Sequence, residues 1–225
     1  MSRYYPIYLD LHDRLAVVVG GCTAALRRVQ DLLDAGASVR LVWPEVLPEL
    51  RQLAEQDKIE YRDRCFLDED LDGAFIALSE RLDEATHQDV WAAAERRGIP
   101  VNVEDELAYC SFVHAAVLRQ GDLAITISTA GRAPALAVRI REELEARFGP
   151  QYAEFLELSR RLRQPLADLH PEFSTRRDLW YQLVDSEVLD LLAQGEKDTA
   201  VDRITQIMGV APSAPGIADT SEVQP

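Results

Sequence analysis

The sequence predicts an α/β chain built on a doubly wound parallel sheet, and three observations lead to this fold class. Apolar runs of strand length alternate with amphipathic stretches of helical period over the first hundred residues. The first run, RLAVVVG at residues 14–20, is continuously apolar, which is typical of a strand buried on both faces of a parallel sheet. After about residue 112 the alternation stops, and a hairpin pattern followed by helical periodicity replaces it.

Each element carries its own local signal. The stretch TAALRRVQDLLDAG after the first strand has apolar residues on one helical face and a glycine, Gly36, positioned to end the helix. Further strands are predicted at 37–44, 59–64, 73–79 and 99–105, with helices at 45–57 and 84–98. Residues 111–129 hold two strand-like runs separated by RQGD, which predicts a β-hairpin. Helices are then predicted at 133–149, 151–169, 174–195 and 197–209.

These elements divide the chain into four parts. We assign residues 1–112 to the sheet domain, 113–148 to a hairpin-helix segment and 149–210 to a helical C-terminal domain. The last fifteen residues, 211–225, are rich in Pro, Ala and Ser, and we expect a disordered tail there.

Composition excludes several classes of protein. Hydrophobic residues make up 47% of the 225 residues, which is enough for a sizeable core. The net charge of −15 argues against nucleic-acid binding, because that binding depends on Lys and Arg contacts to phosphate. The three scattered cysteines form no even disulfide framework, and no signal pattern or membrane-length apolar run is present. We therefore expect a cytoplasmic protein that binds neither nucleic acid nor membrane.

The first strand enters its helix through the sequence GGCTAA, residues 20–25. Phosphate-binding turns of Rossmann-like domains read GxGxxG/A, where the second glycine lets the backbone approach a pyrophosphate at the helix N-terminus. Gly20 and Ala25 occupy the first and third places, but Cys22 stands at the second. We expect its side chain to crowd the pyrophosphate and to disfavour a positive φ. The turn either binds a dinucleotide or merely packs within the domain.

An acidic residue at the end of the second strand is expected to hold the ribose hydroxyls of the nucleotide. Glu45 is the candidate, one or two residues late, and the alternative is an early-helix acid favoured by the helix dipole. No Arg or Lys follows the strand directly, so NAD is favoured over NADP. The candidate cofactor-binding residues are Gly20, Gly21, Cys22, Thr23, Ala24, Pro44 and Glu45.

Asp105 lies just past the fifth predicted strand. The carboxyl ends of parallel strands are where such folds bind ligands, and a carboxylate there can act as a general acid or base. The alternative is that Asp105 or Glu106 caps the next turn.

A second candidate site is the segment ISTAGRAPALA. Ser128 and Thr129 end a strand, Gly131 permits a turn, and Pro134 begins a helix at the position that proline favours. Hydroxyls, loop amides and a helix N-terminus together form an anion-binding concavity.

Charge supports an anion at this segment. Residues 113–141 contain four arginines, at positions 119, 132, 139 and 141, against one acid, Asp122. This local charge of +3 would steer a carboxylate-rich substrate to the segment. The alternative is that Arg139 and Arg141 lie on the solvated face of a helix.

Taken together, these segments resemble the precorrin-2 dehydrogenase and sirohydrochlorin ferrochelatase family, the N-terminal half of siroheme synthases. The matching stretches run in order over residues 4 to about 165: YPIYLDLHDRLAVVVGG, ALRRVQDLLDAGASVRLVWPE, EDLDGAFIA, VNVEDELAYCSF and ISTAGRAPALAVRIREELE. The resemblance implies NAD-dependent oxidation of precorrin-2 to sirohydrochlorin and, in many members, insertion of Fe2+ as a second substrate to give siroheme. It also implies a homodimer whose interface is the hairpin-helix dimerisation segment.

The resemblance assigns roles to particular residues. One aspartate after the NV strand serves both reactions in this family, and Asp105 matches it, so its implied catalytic role is to accept protons from the macrocycle. His114 is a candidate proton relay or transient metal contact, with a structural histidine as the alternative. The candidate substrate-binding residues are His114, Ser128, Thr129, Gly131 and Arg132. No His/Cys cluster marks a resident metal site, which suits a metal that passes through as substrate.

The chain departs from the family pattern on the nucleotide side. Cys22 replaces the third glycine of GGG, Glu80 and Arg81 stand where the family has small residues and a Thr, and His87 replaces an Asn. These changes motivate the hypothesis that NAD binding is weakened or lost. The alternatives to the dehydrogenase are therefore a chelatase with a degenerate NAD site and a non-enzymatic tetrapyrrole-binding module. A DNA regulator is disfavoured because acids surround the basic runs RRLR and STRRD.

Overall fold

The computed structural model describes residues 4–213, which fold as two compact units divided between His114 and Ala115. Most of the predicted C-terminal tail, residues 214–225, lies outside the described residues. Within residues 4–213, no helix combines the length and the apolar character needed to cross a membrane.

The first unit is a five-stranded parallel sheet flanked by helices. Its strands are β1 (Leu15–Val19), β2 (Ser38–Val42), β3 (Glu60–Arg62), β4 (Ile76–Ser79) and β5 (Val101–Val103), and its helices are α1 (Thr23–Asp34), α2 (Pro48–Glu55) and α3 (Glu84–Arg97). Short 3-10 turns occupy Asp68–Leu71 and Leu107–Tyr109. The strand order is β3-β2-β1-β4-β5, and every pairing is parallel. The predicted doubly wound, Rossmann-like fold is thereby confirmed.

Both faces of β1 are buried, as its continuous apolar run predicts. Ala16 and Val18 pack in one cluster with residues of α1 and α2. Val17 and Val19 pack in another cluster with residues of α3. The helices therefore cover the sheet on both sides, and the strand order reverses between β1 and β4. Ligands of such sheets bind outside the carboxyl ends of the strands at this reversal.

The second unit begins with the predicted hairpin and continues as helices. Its elements are β6 (Ala116–Gln120), β7 (Leu123–Ile127), α4 (Pro134–Arg147), α5 (Gln151–Leu169), α6 (Phe173–Val184), α7 (Val188–Ala193) and α8 (Lys197–Met208). The two strands are antiparallel, and the turn between them begins at Gly121, whose φ is +57°. One helix was expected over 174–195, but Ser186 interrupts it, because its hydroxyl donates to the carbonyl of Leu183 at 2.7 Å.

A proline inside α5 explains how the chain after α8 is held. Pro165 has no N–H to donate to the carbonyl of Arg161, four residues earlier. The backbone N–H and the hydroxyl of Ser213 donate to that carbonyl at 3.2 and 3.1 Å instead, and the Arg161 guanidinium donates to the Ser213 carbonyl. The first three residues of the predicted tail, 211–213, thus lie against α5.

Candidate functional site

The glycine turn after β1 lies between two other loops of the first unit. Gly20 has a φ of +131°, and a methyl group added there would overlap the carbonyl oxygen of Glu80. A methyl group at Gly21 would overlap the carbonyl oxygen of Glu45. The Gly21 carbonyl also accepts a hydrogen bond from the Leu47 N–H at 3.0 Å. Both glycines are therefore required by backbone packing against the loops that follow β2 and β4.

Cys22 begins α1 without backbone strain. Its φ of −85° and ψ of −179° are extended values that any residue adopts, so the expected penalty for a positive φ was wrong. Its side chain makes no capping hydrogen bond, and its Sγ lies 4.0 Å from the Glu80 carbonyl oxygen. The thiol therefore points toward the end of β4.

The N-terminus of α1 fits an anion. The first backbone N–H groups of a helix, here those of Thr23 and Ala24, have no acceptor within the helix. The first turn holds no acidic residue, and no side chain caps it. The geometry therefore suits a diphosphate held by backbone N–H groups.

Glu45 lies where the sequence predicts the ribose-binding acid. It is exposed and follows β2 at the same edge of the sheet as the glycine turn. The structure adds a cation that the sequence analysis missed, because Arg51 of α2 donates to the Pro44 carbonyl at 3.2 Å. That guanidinium also lies 3.6 Å from the Asp63 carboxylate, so it already has an anionic partner.

Glu80 does not project into the space above the turn, where a bulky charged group was expected. Its side chain is 1% exposed and faces α1, where Arg28 Nε donates to Glu80 Oε1 at 3.2 Å. The other oxygen, Oε2, has no hydrogen-bond partner among the described residues. Burial raises the pKa of Glu80, and the Arg28 cation opposes that rise. Arg28 was not a candidate from sequence, since no local spacing signals a contact across 52 residues.

His87 forms hydrogen bonds with residues at and after the end of β4, close to Glu80. The Leu82 N–H donates to its Nε2 at 3.2 Å, so Nε2 is an acceptor and the ring proton lies on Nδ1. Nδ1 then donates to the Ser79 hydroxyl at 2.8 Å. Burial lowers the pKa of His87, which keeps the ring neutral. All three departures from the family pattern therefore surround residues 79–82 at the end of β4.

Asp105 lies at the same edge of the sheet, past β5. It is exposed, and its φ of +63° is a left-handed conformation that costs a non-glycine residue about 1 kcal/mol. Its carboxylate makes no hydrogen bond or ion pair within residues 4–213, so it does not cap the following turn. Because β5 is two strands from β1, Asp105 lies about 10 Å across the sheet from the glycine turn.

His114 is the last residue of the first unit and packs edge-on against Phe112, with ring centroids 5.4 Å apart. Although the residue is exposed to solvent, the protein atoms packed around it and the Arg28 cation lower its pKa below the ordinary value. A lowered pKa makes the His114 ring a weaker base than an ordinary histidine, which disfavours the expected relay role.

In the second unit, the loop before α4 is shaped by its own hydroxyls. The Ser128 hydroxyl accepts from the Ala130 N–H, and the Thr129 hydroxyl accepts from the Ala133 N–H, both at 3.2 Å. Ala130 and Gly131 are both left-handed, with φ of +51° and +74°. The N–H groups of Ala130, Arg132 and Ala133 already donate to oxygens of Ser128 and Thr129, so the anion site predicted at this loop stays a prediction.

The positive charge expected around this loop is smaller than the sequence count. Arg139 lies 3.2 Å from Glu142, and Arg141 pairs with Glu145 on the same helix. These two arginines are therefore paired with acids on the surface of α4 and contribute less positive charge to the segment than the sequence count suggests. Across the described part of the chain, no group of three or more His, Cys, Asp or Glu side chains is arranged to hold a metal ion.

Three family models match the chain in succession. A model described as putative NAD(P)-binding matches residues 7–116, one described as sirohaem biosynthesis protein central matches 120–147, and one described as sirohaem synthase dimerisation region matches 151–208.

Individual proteins are similar over most of the chain. A siroheme synthase of Pseudomonas paraeruginosa is 37% identical over 192 residues, which are 85% of this chain and 41% of that protein. A siroheme synthase of Photorhabdus laumondii subsp. laumondii is 30% identical over 233 residues, 98% of this chain and 50% of its own length. The chain thus spans half the length or less of these curated relatives. A solved structure named SirC, precorrin-2 dehydrogenase, matches with a TM-score of 0.74 and 25% identity, over 90% of this chain and 100% of that one.

Proposed function

Because the chain belongs to the siroheme synthase family, we propose that it catalyses the NAD-dependent oxidation of precorrin-2 to sirohydrochlorin. In this reaction the substrate loses two hydrogens, one as a hydride and one as a proton. The likeness to SirC over all of that protein's length supports the reaction, and the siroheme synthase relatives support its place in siroheme biosynthesis.

The observation that carries the proposal is the carboxylate of Asp105. It is exposed, unpaired among the described residues, and held in a left-handed conformation at the sheet edge where ligands of this fold bind. A solvent-accessible carboxylate without a partner is free to accept the proton that the macrocycle loses.

NAD, when bound, supplies the hydride acceptor. The residues of the first unit that would hold it are the N–H groups of Thr23 and Ala24 for the diphosphate and Glu45 for the ribose. In the second unit, the loop of Ser128, Thr129, Gly131 and Arg132 would bind carboxylates of the tetrapyrrole.

A second step, insertion of Fe2+ into sirohydrochlorin, is proposed for the same aspartate. Metal insertion releases two protons from ring nitrogens, and Asp105 would accept them in turn. One observation favours a chelatase without the dehydrogenase: Glu80, an acidic residue, packs its backbone and Cβ against the turn that would carry an anionic diphosphate, and its carboxyl is buried behind that turn against α1. The third reading, a tetrapyrrole-binding module without activity, predicts that Asp105 is dispensable.

We further propose that the chain works as a homodimer in the cytoplasm. The match to a sirohaem synthase dimerisation region supports a homodimer. Leu136 and Val138 on α4 are 52% and 43% exposed, and Val117 on β6 is 37% exposed, which supports the hairpin-helix segment as part of its interface.

The test is a paired assay of wild type and Asp105→Asn, with precorrin-2 plus NAD followed by sirohydrochlorin plus Fe2+. The amide keeps the size of the side chain but cannot accept a proton, so we expect each activity present in wild type to fall by a factor of roughly 10² to 10⁴. Glu106→Gln, an exposed neighbour, is the matched control and should retain activity. Full activity of Asp105→Asn with folding retained would refute the assignment.

A further inference from the structure

Glu80 carries a buried carboxyl group that the proposed reaction does not use. Its side chain is 1% exposed, yet Oε2 has no partner among the described residues. A buried ionised carboxylate normally has its oxygens hydrogen-bonded, since the charge is costly in a medium of low polarity. One oxygen of Glu80 accepts from Arg28 and the other has no partner among the described residues, which favours a carboxyl that can take up a proton.

The charges around Glu80 are of both signs. On α1, Arg28 lies 3.2 Å away and Arg27 adds a weaker cationic influence. From the end of β5, the Glu104 carboxylate raises the pKa of Glu80, and the Oε2 of Glu104 is also buried with no hydrogen-bond partner among residues 4–213. Glu104 has its own cation, since Arg81 lies 3.7 Å away. The thiols that face Glu80 are those of Cys22, on the glycine turn, and Cys110.

Glu80 also lies directly beside the turn. A methyl group added at Gly20 would lie 3.4 Å from Glu80 Cβ and would overlap the Glu80 carbonyl oxygen. A diphosphate at the N-terminus of α1 would therefore lie beside the backbone and Cβ of Glu80. The carboxyl of Glu80 meets Arg28, five residues into the same helix, which is about 7 Å along the helix axis. Because that carboxyl is buried, solvent screens it poorly from a charge at this distance, and protonating it removes the repulsion.

We propose that Glu80 takes up a proton when the diphosphate of a dinucleotide binds at the N-terminus of α1, so that nucleotide binding is coupled to proton uptake. The inference rests on the proposed use of a dinucleotide and adds a specific regulation to it. Arg28 lowers the affinity of Glu80 for the proton in the free protein, and the bound anion raises it.

The coupling has a definite sign. Where Glu80 is ionised in the free protein and protonated in the complex, the binding constant falls about tenfold for each unit of pH increase. Below that range the carboxyl is protonated in both states, and the affinity is independent of pH. The nucleotide affinity of the wild type therefore rises as the solution is acidified and then levels off.

The experiment is isothermal titration of the full chain with NADH at several values between about pH 6 and pH 9. Each pH is measured in two non-phosphate buffers of different ionisation enthalpy that are effective at that pH, such as MOPS and imidazole near pH 7 and HEPES and Tris near pH 8, because the difference in measured heat reveals the number of protons taken up. We expect proton uptake approaching one per nucleotide in wild type. Glu80→Gln should show none and should bind more tightly than wild type at the alkaline end. Glu84→Gln, which removes an exposed carboxylate from the first turn of α3, is the matched control and should behave as wild type.

The outcomes separate this inference from the proposed function. If wild type binds NADH tightly and the heat does not depend on the buffer, the coupling is overturned but the proposed use of a dinucleotide is not. The coupling is likewise overturned if Glu80→Gln still takes up a proton on binding NADH. Failure of both proteins to bind NADH at every pH overturns the coupling and the dehydrogenase together. If circular dichroism shows that Glu80→Gln does not fold, Arg28→Gln is tested instead. Losing the Arg28 cation should shift the pH dependence of NADH binding to higher pH, and an unchanged pH dependence overturns the coupling.

Discussion

Replacing Cys22 by serine tests whether the N-terminus of α1 is an open anion site. Cys22 holds the N-cap position with the extended φ and ψ that N-cap residues adopt, yet its thiol makes no capping bond. Sulfur is a weak acceptor, whereas a serine hydroxyl at the same position accepts from the N–H of Ala24 or Ala25. Cys22→Ser should therefore install a cap on a helix that lacks one.

The size of the effect follows from the missing bond. A serine cap is worth about 1 kcal/mol relative to a residue that does not cap, which raises the melting temperature of a chain of this size by roughly 2–4 °C. The same N–H groups are proposed to hold the diphosphate, so a bound nucleotide must displace the new cap. Losing about 1 kcal/mol of binding free energy weakens NADH binding roughly fivefold. Stability and affinity thus change in opposite directions.

Urea denaturation followed by circular dichroism measures the stability of each protein, and titration with NADH measures its affinity for the nucleotide. Cys22→Ala removes the sulfur without adding an acceptor and should gain no stability. Cys65→Ser makes the same chemical change at an exposed cysteine away from the turn and should alter neither quantity. The reasoning fails if Cys22→Ser is no more stable than Cys22→Ala, or if it is more stable and binds NADH as tightly as wild type.

Two further predictions concern the second unit. Leu136→Glu places a charge on the exposed apolar surface of α4 and should convert the proposed homodimer to monomer by light scattering, whereas Glu143→Gln on the same helix should not. A dimer that survives Leu136→Glu would exclude α4 from the interface. Ser213→Pro deletes both donors to the Arg161 carbonyl and should cost about 1–3 kcal/mol in unfolding free energy. In a Pro165→Ala background the helix satisfies that carbonyl itself, so the same substitution should cost much less, and equal costs in both backgrounds would contradict the explanation.

Much of the fold was predictable because its signals are local. The buried run of β1, the amphipathic helices and the RQGD turn each depend on residues close in sequence, and all appear in the structure. The helix expected over 174–195 is divided because the Ser186 hydroxyl competes for a backbone carbonyl, a contact that periodicity does not reveal.

The candidate site was predictable only in part. Strand ends place Asp105, Glu45 and the glycine turn at one edge of the sheet, because the carboxyl ends of parallel strands share an edge. The expectation that Cys22 suffers a positive φ was wrong, since the backbone enters α1 in an extended conformation. Gly20 and Gly21 are needed because a side chain at either position would overlap the backbone of a neighbouring loop.

The sequence by itself determined the order of the elements, the location of the turn and the residues that carry the family resemblance, since all of these are written in local patterns. Only the tertiary structure decided the state of the ionisable groups. In the sequence Glu80 is a bulky charged residue on the nucleotide side, but in the structure it is buried against Arg28, 52 residues away. Burial lowers the pKa of His87, whose Nε2 accepts from the Leu82 N–H. Burial and partnership decide whether a group is charged, and both arise only when distant segments of the chain pack together.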